Sequence, residues 1–265
     1  MKGIIFYYSG SGNTKLALEY IAKNIKNVTF DFSSMVRAEE IPDLKSYDFV
    51  GFASFTDFWG PSKLVYDFME KIPIQNEKLA FVFATYGYIL GRNLKTLAKL
   101  ARSRGFNVVI GEYMKSPESH VPSVVNGLTD ENAPNNKEMM KLNKFISDFN
   151  GIIELYSNGN EVKSRRIKNK FLFNLFPVVS RTFARRDMGD KFVDEELCTE
   201  CGTCENGCPY YAITLDPKPK FDMTKCYGCW YCYNHCPQKA IYTKKFRGVG
   251  HYPRPNAHYK EKLKT

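Results

Sequence analysis

The sequence predicts two folded parts, a doubly wound α/β domain with a five-stranded parallel sheet and a small α+β domain rich in cysteine. Across about the first 155 residues, short apolar segments alternate with amphipathic ones, which is the pattern of a parallel sheet covered by helices on both faces. All eight cysteines lie beyond this region, in two copies of one spacing. A hydrophobic content of 43% and an aromatic content of 15% support packed cores rather than disorder.

The first domain is expected to contain five strands that alternate with four helices. Runs rich in β-branched and aromatic residues predict strands over 3–8, 28–32, 49–54, 79–85 and 107–113. Apolar residues at helical spacing predict helices over 14–26, 62–71, 94–104 and 137–155. Leu94, Leu97 and Ala101 illustrate that spacing, because they fall on one face of the third helix, whereas Lys95 and Lys99 fall mostly away from it.

A turn rich in glycine and hydroxyl residues follows the first strand and opens the first helix. It consists of Ser9, Gly10, Ser11, Gly12, Asn13 and Thr14. Backbone N–H groups in such a turn, together with the helix dipole, can hold a phosphate group. The turn lacks the P-loop pattern, and Lys15 stands where a dinucleotide fingerprint has its third glycine. It therefore predicts a different kind of phosphate site, with an unliganded tight turn as the alternative.

Two further loops are expected beside this turn, because ligands of doubly wound sheets bind at the carboxyl ends of the strands. The loop after the third strand offers Ser54, Thr56, Phe58, Trp59 and Gly60 as binding residues. The loop after the fourth strand offers Thr85, Tyr86, Gly87 and Tyr88. Aromatic side chains can stack on a planar ring, and glycines let backbone amides reach its polar edge. Trp59 is the favoured stacking residue.

The turn with Ser9, Gly12 and Thr14 resembles the flavodoxin signature, and the resemblance to the flavodoxin superfamily extends over residues 1–155. It implies a flavodoxin-like sheet with FMN as the cofactor, its phosphate in the turn and its isoalloxazine ring between the two aromatic loops. His120 follows the fifth predicted strand and could approach the flavin edge. A structural role is favoured for His120, because lone histidines in loops are mostly structural or solvated.

The eight cysteines form two runs of identical spacing. The runs are Cys198, Cys201, Cys204 and Cys208, then Cys226, Cys229, Cys232 and Cys236. Each reads C-x2-C-x2-C-x3-C-P, the bacterial-type signature for a pair of [4Fe–4S] clusters, in which the fourth cysteine of each run ligates the other cluster. The predicted sites are therefore Cys198, Cys201, Cys204 and Cys236 for one cluster, and Cys226, Cys229, Cys232 and Cys208 for the other.

Other uses of the thiols are less well matched to this spacing. Four thiolates also hold zinc, but zinc sites usually come as two separated C-x2-C pairs, so zinc is the alternative rather than the expectation. A disulfide framework suits short secreted chains, whereas this sequence has 265 residues and shows no secretory signal after Met1. The cysteines therefore favour a reducing, low-oxygen cytoplasm.

The cysteine-rich part repeats itself, since Asp194 and Asp222, like Cys198 and Cys226, are equivalent at a spacing of 28 residues. Residues 191–245 closely resemble the bacterial two-cluster ferredoxins, which implies low-potential carriage of single electrons. Together with the first domain, the chain resembles the flavodoxin–ferredoxin fusion proteins of anaerobic bacteria and archaea.

The domain boundaries are predicted at 1–158 for the flavodoxin-like domain, 159–190 for a basic and aromatic connector, 191–247 for the ferredoxin-like domain and 248–265 for a basic tail. The formal net charge is +10, and most of it lies in the connector and the tail. Binding to nucleic acid is therefore not expected. The connector could lie on an anionic membrane surface, but packing of its apolar residues between the two domains is favoured.

These features favour an electron-transfer protein that passes electrons between FMN, two [4Fe–4S] clusters and an external redox partner protein that the sequence does not identify. No side chain is assigned acid–base chemistry in this interpretation. The alternative is a flavin-dependent reductase of a small molecule or quinone, fed by ferredoxin-type electrons, with His120 or Tyr88 as the proton donor. Tyr227, Trp230 and Tyr231 are expected to pack against the cluster and could face the other domain.

Overall fold

The computed structural model describes residues 1–167, 173, 176–177, 179 and 182–264. Within the predicted connector, Lys168, Lys170, Phe171, Leu172, Asn174, Leu175 and Val178 lie outside the described residues. No helix within the described part of the chain is long and apolar enough to cross a membrane.

The first domain is built on one five-stranded sheet in which every neighbouring pair of strands is parallel. Its strands are β1 (Lys2–Tyr8), β2 (Thr29–Ser34), β3 (Phe49–Phe55), β4 (Lys78–Tyr86) and β5 (Phe106–Lys115). The strand order is β2-β1-β3-β4-β5. This is the flavodoxin-like order, with the switch point between β1 and β3. The predicted fold class is confirmed.

The helices of this domain cover both faces of the sheet. They are α1 (Asn13–Asn24), α2 (Lys63–Lys71), α3 (Asn93–Ser103), α4 (Val121–Val125) and α5 (Asn136–Ser157), with a short 3-10 turn at Leu44–Ser46. Alternation along β1 sends Phe6 and Tyr8 into the core beneath α2 and α3, and sends Ile5 into the core beneath α1 and α5. The longest helix, α5, begins at a capping box between Asn135 and Glu138.

The cysteine-rich domain contains two short antiparallel ladders, and each ladder joins strands from both halves of the repeat. Strand β6 (Lys191–Val193) pairs with β9 (Ile241–Thr243), and β7 (Ile213–Asp216) pairs with β8 (Lys218–Phe221). Short helices α7 (Thr203–Asn206) and α8 (Tyr231–His235) carry cysteines between these strands. Helix α6 (Thr182–Met188) precedes β6. The two halves therefore fold as one unit.

Residues 249–264, named here the return segment, differ from the basic tail expected at 248–265. They fold back onto the first domain and end in helix α9 (Ala257–Lys262). Tyr259 and Leu263 are completely buried in the core formed by α1, α5 and the sheet. The lysines and the arginine of the segment stay at the surface, while Tyr259 and Leu263 pack into the core. The net charge of the segment alone did not predict this packing.

Candidate functional site

A cavity of about 290 Å³ opens at the carboxyl ends of the sheet strands, close to the lower size limit of small-molecule sites. The first domain lines it with Phe55, Thr56, Asp57, Phe58, Trp59, Gly87, Tyr88, Ile89, Glu118, Ser119, His120 and Ser123. The cysteine-rich domain closes it with Gly228, Cys229 and Trp230. A smaller cavity shares Thr56 and Gly87 with it and extends to Gly10, Ser11 and Thr14. The two cavities join the glycine-rich turn to the aromatic loops.

The glycine-rich turn is held in one conformation by local contacts. Gly12 adopts a left-handed φ of 90° and caps α1, a backbone geometry that favours glycine. The Ser9 hydroxyl accepts a hydrogen bond of 3.2 Å from the Lys15 backbone N–H. The buried Thr14 and Thr85 hydroxyls are 2.7 Å apart, which ties the turn to the end of β4. Ser11 and Asn13 are also buried. The turn thus fits the phosphate of a flavin nucleotide at the start of a helix.

Two aromatic residues of the loop after β3 have strained backbones. Phe58 and Trp59 have φ values of 42° and 66°, and the Asp57 and Gly60 backbones exchange hydrogen bonds of 2.8 and 3.2 Å across them. A left-handed φ costs a bulky residue about 1–2 kcal/mol. The backbone of Trp59 also lies against Gly91. A Cβ added to Gly91 would lie 2.3 Å from the Trp59 carbonyl oxygen. This turn holds both aromatic side chains at the cavity wall.

The remaining predicted flavin-contacting residues divide into two groups. Thr56, Gly87 and Tyr88 line the cavity, and the Tyr88 side chain is exposed at its rim. Ser54, Gly60, Thr85 and Tyr86 do not line the main cavity, although Thr85 and Tyr86 reach the smaller one. The Tyr86 ring instead packs in the core against Tyr113 and Phe173, because successive residues of a strand face opposite sides of the sheet.

His120 lines the cavity, but both of its ring nitrogens are engaged within the protein. Nδ1 lies 2.9 Å from the Ser123 hydroxyl, and Nε2 lies 3.0 Å from Oδ2 of Asp187. The hydrogen bond from His120 lowers the pKa of Asp187. His120 therefore ties helix α6 to the loop after β5 and has no ring nitrogen left to face a ligand.

Four predicted ligands surround one cavity beside the sheet, and we name this the inner cluster site. They are Cys208, Cys226, Cys229 and Cys232. Lys191, which is buried, donates a hydrogen bond of 2.8 Å from Nζ to Sγ of Cys226. Burial alone would lower the pKa of Lys191, but the charges of Cys232 and Cys226 outweigh it and hold that pKa above its ordinary value.

The other four predicted ligands surround a second cavity, named here the outer cluster site. They are Cys198, Cys201, Cys204 and Cys236. Cys201 is exposed, unlike any ligand of the inner site. The repeat is visible in the sulfur contacts, because Ala212 N–H donates to Cys208 Sγ at 3.3 Å and Ala240 N–H donates to Cys236 Sγ at 3.2 Å. Four thiols around one space, with N–H groups directed at sulfur, fit a [4Fe–4S] cubane at each site.

The inner site and the main cavity at the carboxyl ends of the strands share a wall. Cys229 is a thiol of the first and lines the second, as does its neighbour Trp230. The Tyr8 hydroxyl, at the end of β1, approaches the same cysteine, and burial followed by the charge of Cys229 raises the pKa of Tyr8 well above its ordinary value. The same two causes raise the pKa of Tyr210. Both tyrosines therefore stay neutral at this boundary.

Polar contacts fix the two domains at this boundary. Arg37 donates from Nε to the Cys208 carbonyl at 3.2 Å, and its guanidinium stacks 4.4 Å from the centre of the Tyr211 ring. The Leu64 backbone N–H donates to the Tyr210 hydroxyl at 3.3 Å. Sequence reasoning missed Arg37, Tyr210 and Lys191, because nothing in their local patterns marks a contact distant in the chain. For Lys191, the repeat carried a signal: its equivalent 28 residues later is Pro219.

Comparisons with known proteins separate the two domains in the same way. Residues 197–240 match the family described as a 4Fe-4S dicluster domain. An uncharacterized protein of Methanocaldococcus jannaschii is 47% identical over 47 residues, covering 18% of this chain and 22% of that protein. A ferredoxin of Pyrobaculum islandicum is 39% identical over 51 residues, covering 18% of this chain and 48% of the ferredoxin. The chain thus spans less than half the length of either relative.

Solved structures resemble the first domain. A flavodoxin from the domain Archaea is 23% identical with a TM-score of 0.43, covering 58% of this chain and 99% of the flavodoxin. Flavodoxin 1 of Bacillus cereus is 20% identical with a TM-score of 0.42, covering 56% of this chain and 97% of that protein. The first domain thus has the flavodoxin-like strand order, and residues 197–240 of the second match the dicluster family.

Proposed function

We propose that this chain binds one FMN and two [4Fe–4S] clusters and relays electrons between the flavin, the inner cluster, the outer cluster and an external redox protein. The observation that carries the proposal is that Cys229, a ligand candidate of the inner site, also lines the cavity at the carboxyl edge of the sheet. A flavin in that cavity would have a cluster ligand in its wall.

The flavin assignment rests on the chemistry of the connected cavities. One end offers the α1 N-terminus with its left-handed Gly12, and the other offers the fixed aromatic turn of Phe58 and Trp59. Phosphate and a planar ring are the two ends of FMN, and these are the groups that such surroundings bind. When bound, FMN supplies the ability to exchange electrons singly or in pairs with one-electron carriers.

The protein's own residues would then hold the cofactors in place and shield the space between them from water. The cysteines serve as ligands, and Lys191 compensates negative charge at the inner site. Tyr8, Tyr210 and Trp230 are largely shielded from solvent at the boundary, which keeps water out of the space between the two cofactors. At the outer site, the exposed Cys201 makes that end the natural point of contact with an external redox protein.

The reductase alternative needs a proton donor directed at the flavin. Its first candidate, His120, has one ring nitrogen bonded to Ser123 and the other to Asp187. Tyr88 lies exposed at the rim of the cavity. This arrangement favours electron relay over reduction of a small substrate, and we retain the relay as the proposed function.

The cofactor content can be tested on protein purified without oxygen. We expect about eight iron atoms, as two cubanes require, together with one FMN per chain and broad visible absorption from the clusters. Zinc in place of iron would contradict the cluster assignment, and the absence of FMN after reconstitution would contradict the flavin assignment.

The relay itself can be tested by photoreducing the flavin in a short flash and following bleaching of the clusters. We expect a bleaching rate that does not change with protein concentration, because transfer occurs within one chain. A rate proportional to concentration would mean that transfer occurs between molecules and would overturn the relay.

A further inference from the structure

We propose that the return segment is part of the FMN site, where Tyr252 and Tyr259 fix the phosphate-binding turn through Asn13 and Tyr252 links it to α8, the helix that carries Cys232. This inference rests on the proposed function, because it assigns residues to the FMN site. Both tyrosines are positioning residues, since they act through Asn13.

The contacts at Asn13 carry the proposal. The Tyr252 hydroxyl donates to Asn13 Oδ1 at 3.1 Å, and the Tyr259 hydroxyl donates to the Asn13 carbonyl at 3.1 Å. The Asn13 side-chain amide donates to the Pro117 carbonyl at 3.1 Å. Asn13 is the first residue of α1 and is buried, so its backbone position decides where the neighbouring N–H groups point. The return segment therefore sets the geometry of the turn.

The segment also contacts the turn directly. A Cβ built on Gly12 would lie 3.1 Å from Cδ of Pro255, so the proline ring packs against the glycine. Gly12 combines this close approach with its left-handed φ. The turn is thus enclosed on one side by Pro255 and held from beneath by the two tyrosines.

Firm anchors in the first domain make the segment rigid enough for this role. The Asn256 side chain caps α9 by accepting from the Tyr259 N–H at 2.8 Å, and its amide donates to the Glu131 carbonyl at 2.9 Å. Tyr259 and Leu263 are fully buried. Burial raises the pKa of Tyr259 well above its ordinary value, so its hydroxyl remains a donor at every physiological pH.

The other end of the segment is attached to the cluster domain. The Tyr252 backbone N–H donates to Asn234 Oδ1 at 3.0 Å, and the Asn234 amide donates to the Ser119 carbonyl at 2.9 Å. Asn234 lies in α8, between Cys232 and Cys236. A path of hydrogen bonds therefore runs from α8, which carries Cys232, through Tyr252 to Asn13.

The test compares FMN binding by Tyr252→Phe, Tyr259→Phe and the double variant in protein that contains its clusters. Loss of one hydrogen bond to Asn13 should weaken FMN binding by about five- to tenfold, and the double variant should be weaker than either single variant. Tyr20→Phe is the matched control, because Tyr20 lies in α1 itself but its hydroxyl donates to Asn143 rather than to Asn13. That control should bind FMN as the wild type does.

Riboflavin, which lacks the phosphate, distinguishes positioning of the turn from general destabilisation. The variants should lose affinity for FMN and keep wild-type affinity for riboflavin. Equal FMN affinity in the double variant and the wild type, or an equal loss for both ligands, would overturn the inference. Failure of the wild type itself to bind FMN would instead overturn the proposed function.

Hydrogen exchange gives a second readout that does not depend on variants. Binding at one end of a linked network stabilises the other end, so FMN should slow amide exchange in residues 252–263. Unchanged exchange in that range upon saturation of the wild type with FMN would overturn the inference even if the substitutions disturbed folding.

Discussion

The inner and outer cluster sites share one ligand spacing but have opposite surroundings. The first run of cysteines, which supplies three ligands of the outer site and is called the outer run here, carries Thr199 and Glu200, and both are exposed. The second run supplies three ligands of the inner site and is called the inner run. Its equivalent residues are Tyr227 and Gly228, and both are buried. The cysteines fix the cluster geometry in both halves. The residues between them decide which site lies against the main cavity of the first domain and which faces solvent.

The difference extends to charge. Lys191 directs an ammonium group at the inner site, whereas the residue at the equivalent place of the outer site is Pro219, which has no side-chain donor. Arg185 of α6 also donates to the Cys226 carbonyl at 2.5 Å, and Arg37 reaches the Cys208 carbonyl. At the outer site, Lys218 donates to the Cys198 carbonyl at 2.8 Å. Positive groups stabilise the more negative, reduced state of a cluster. The inner cluster is therefore expected to have the higher reduction potential.

Removal of one ligand from each site in turn should have the largest effect on electron transfer. Cys229→Ser should slow flavin-to-cluster transfer by at least about a hundredfold, because even indirect damage to a metal site costs about 10–100-fold. Cys201→Ser should leave that first step fast and abolish transfer to an external acceptor. Flash photoreduction with visible detection measures both, and iron counts verify which cluster remains. Equal slowing in the two variants would contradict the assigned order.

Two left-handed glycines among the cysteines, Gly228 before Cys229 and Gly202 after Cys201, differ in the space around them. A Cβ on Gly228 would lie 2.4 Å from the Ala184 carbonyl oxygen, whereas a Cβ on Gly202 meets only the flexible Asn206 amide at 3.2 Å. We expect Gly228→Ala to destabilise the domain by about 3 kcal/mol and to displace α6, and Gly202→Ala to cost about 1 kcal/mol. Denaturant unfolding measures the two losses. A larger loss for Gly202→Ala would contradict the packing of α6 on the inner run.

The charge difference predicts a shift in one cluster potential. Lys191→Met removes a hydrogen bond to a charged group, worth about 1.5–3 kcal/mol. Only the part of that energy that differs between the oxidised and reduced cluster shifts the potential, so the inner potential should fall by at most about 60–130 mV. Lys220→Met serves as the control, because Lys220 is exposed and pairs with Asp216. Redox titration followed by electron paramagnetic resonance measures both clusters. An equal shift of the inner and outer cluster potentials in Lys191→Met would show that Lys191 does not act on the inner cluster alone.

The smallest expected effect concerns Asp187, which joins α6 to His120. Its pKa is lowered in the folded protein, so its contribution is present above about pH 4 and is lost as the pH falls through the lowered pKa. Asp187→Asn should cost about 0.5–1 kcal/mol at neutral pH and nothing in acid. Asp216→Asn, on the exposed hairpin of the outer half, should change stability at neither pH. Urea unfolding at both pH values checks this pair of variants.

Sequence reasoning located elements whose signals are local. The predicted strands 49–54 and 79–85 fall within Phe49–Phe55 and Lys78–Tyr86, because buried parallel strands are continuous apolar runs between polar turns. The division of eight thiols between two cavities follows from a spacing rule that needs no knowledge of the rest of the chain. The flavin contacts themselves remain predictions.

Features that depend on contacts between residues distant in the chain could not be predicted from local sequence patterns. Helix α9 has six residues, and most of them are polar, so its periodicity does not reveal that Tyr259 is buried. The Tyr86 ring points into the core because its strand extends one residue further than expected. Ends of strands are poorly fixed by sequence, and a residue expected in the loop takes the alternating orientation of the strand when the strand includes it.

The crossed placement of Cys208 and Cys236 bears on how the holoprotein can be assembled. Each site takes three thiols from one run and the fourth from the other, so neither run contains a complete binding site. A ribosome that has released only the first run has made three outer ligands and one inner ligand. Insertion of either cluster must therefore wait until the second run has emerged. A single protease cut between the runs would separate ligands of both clusters at once.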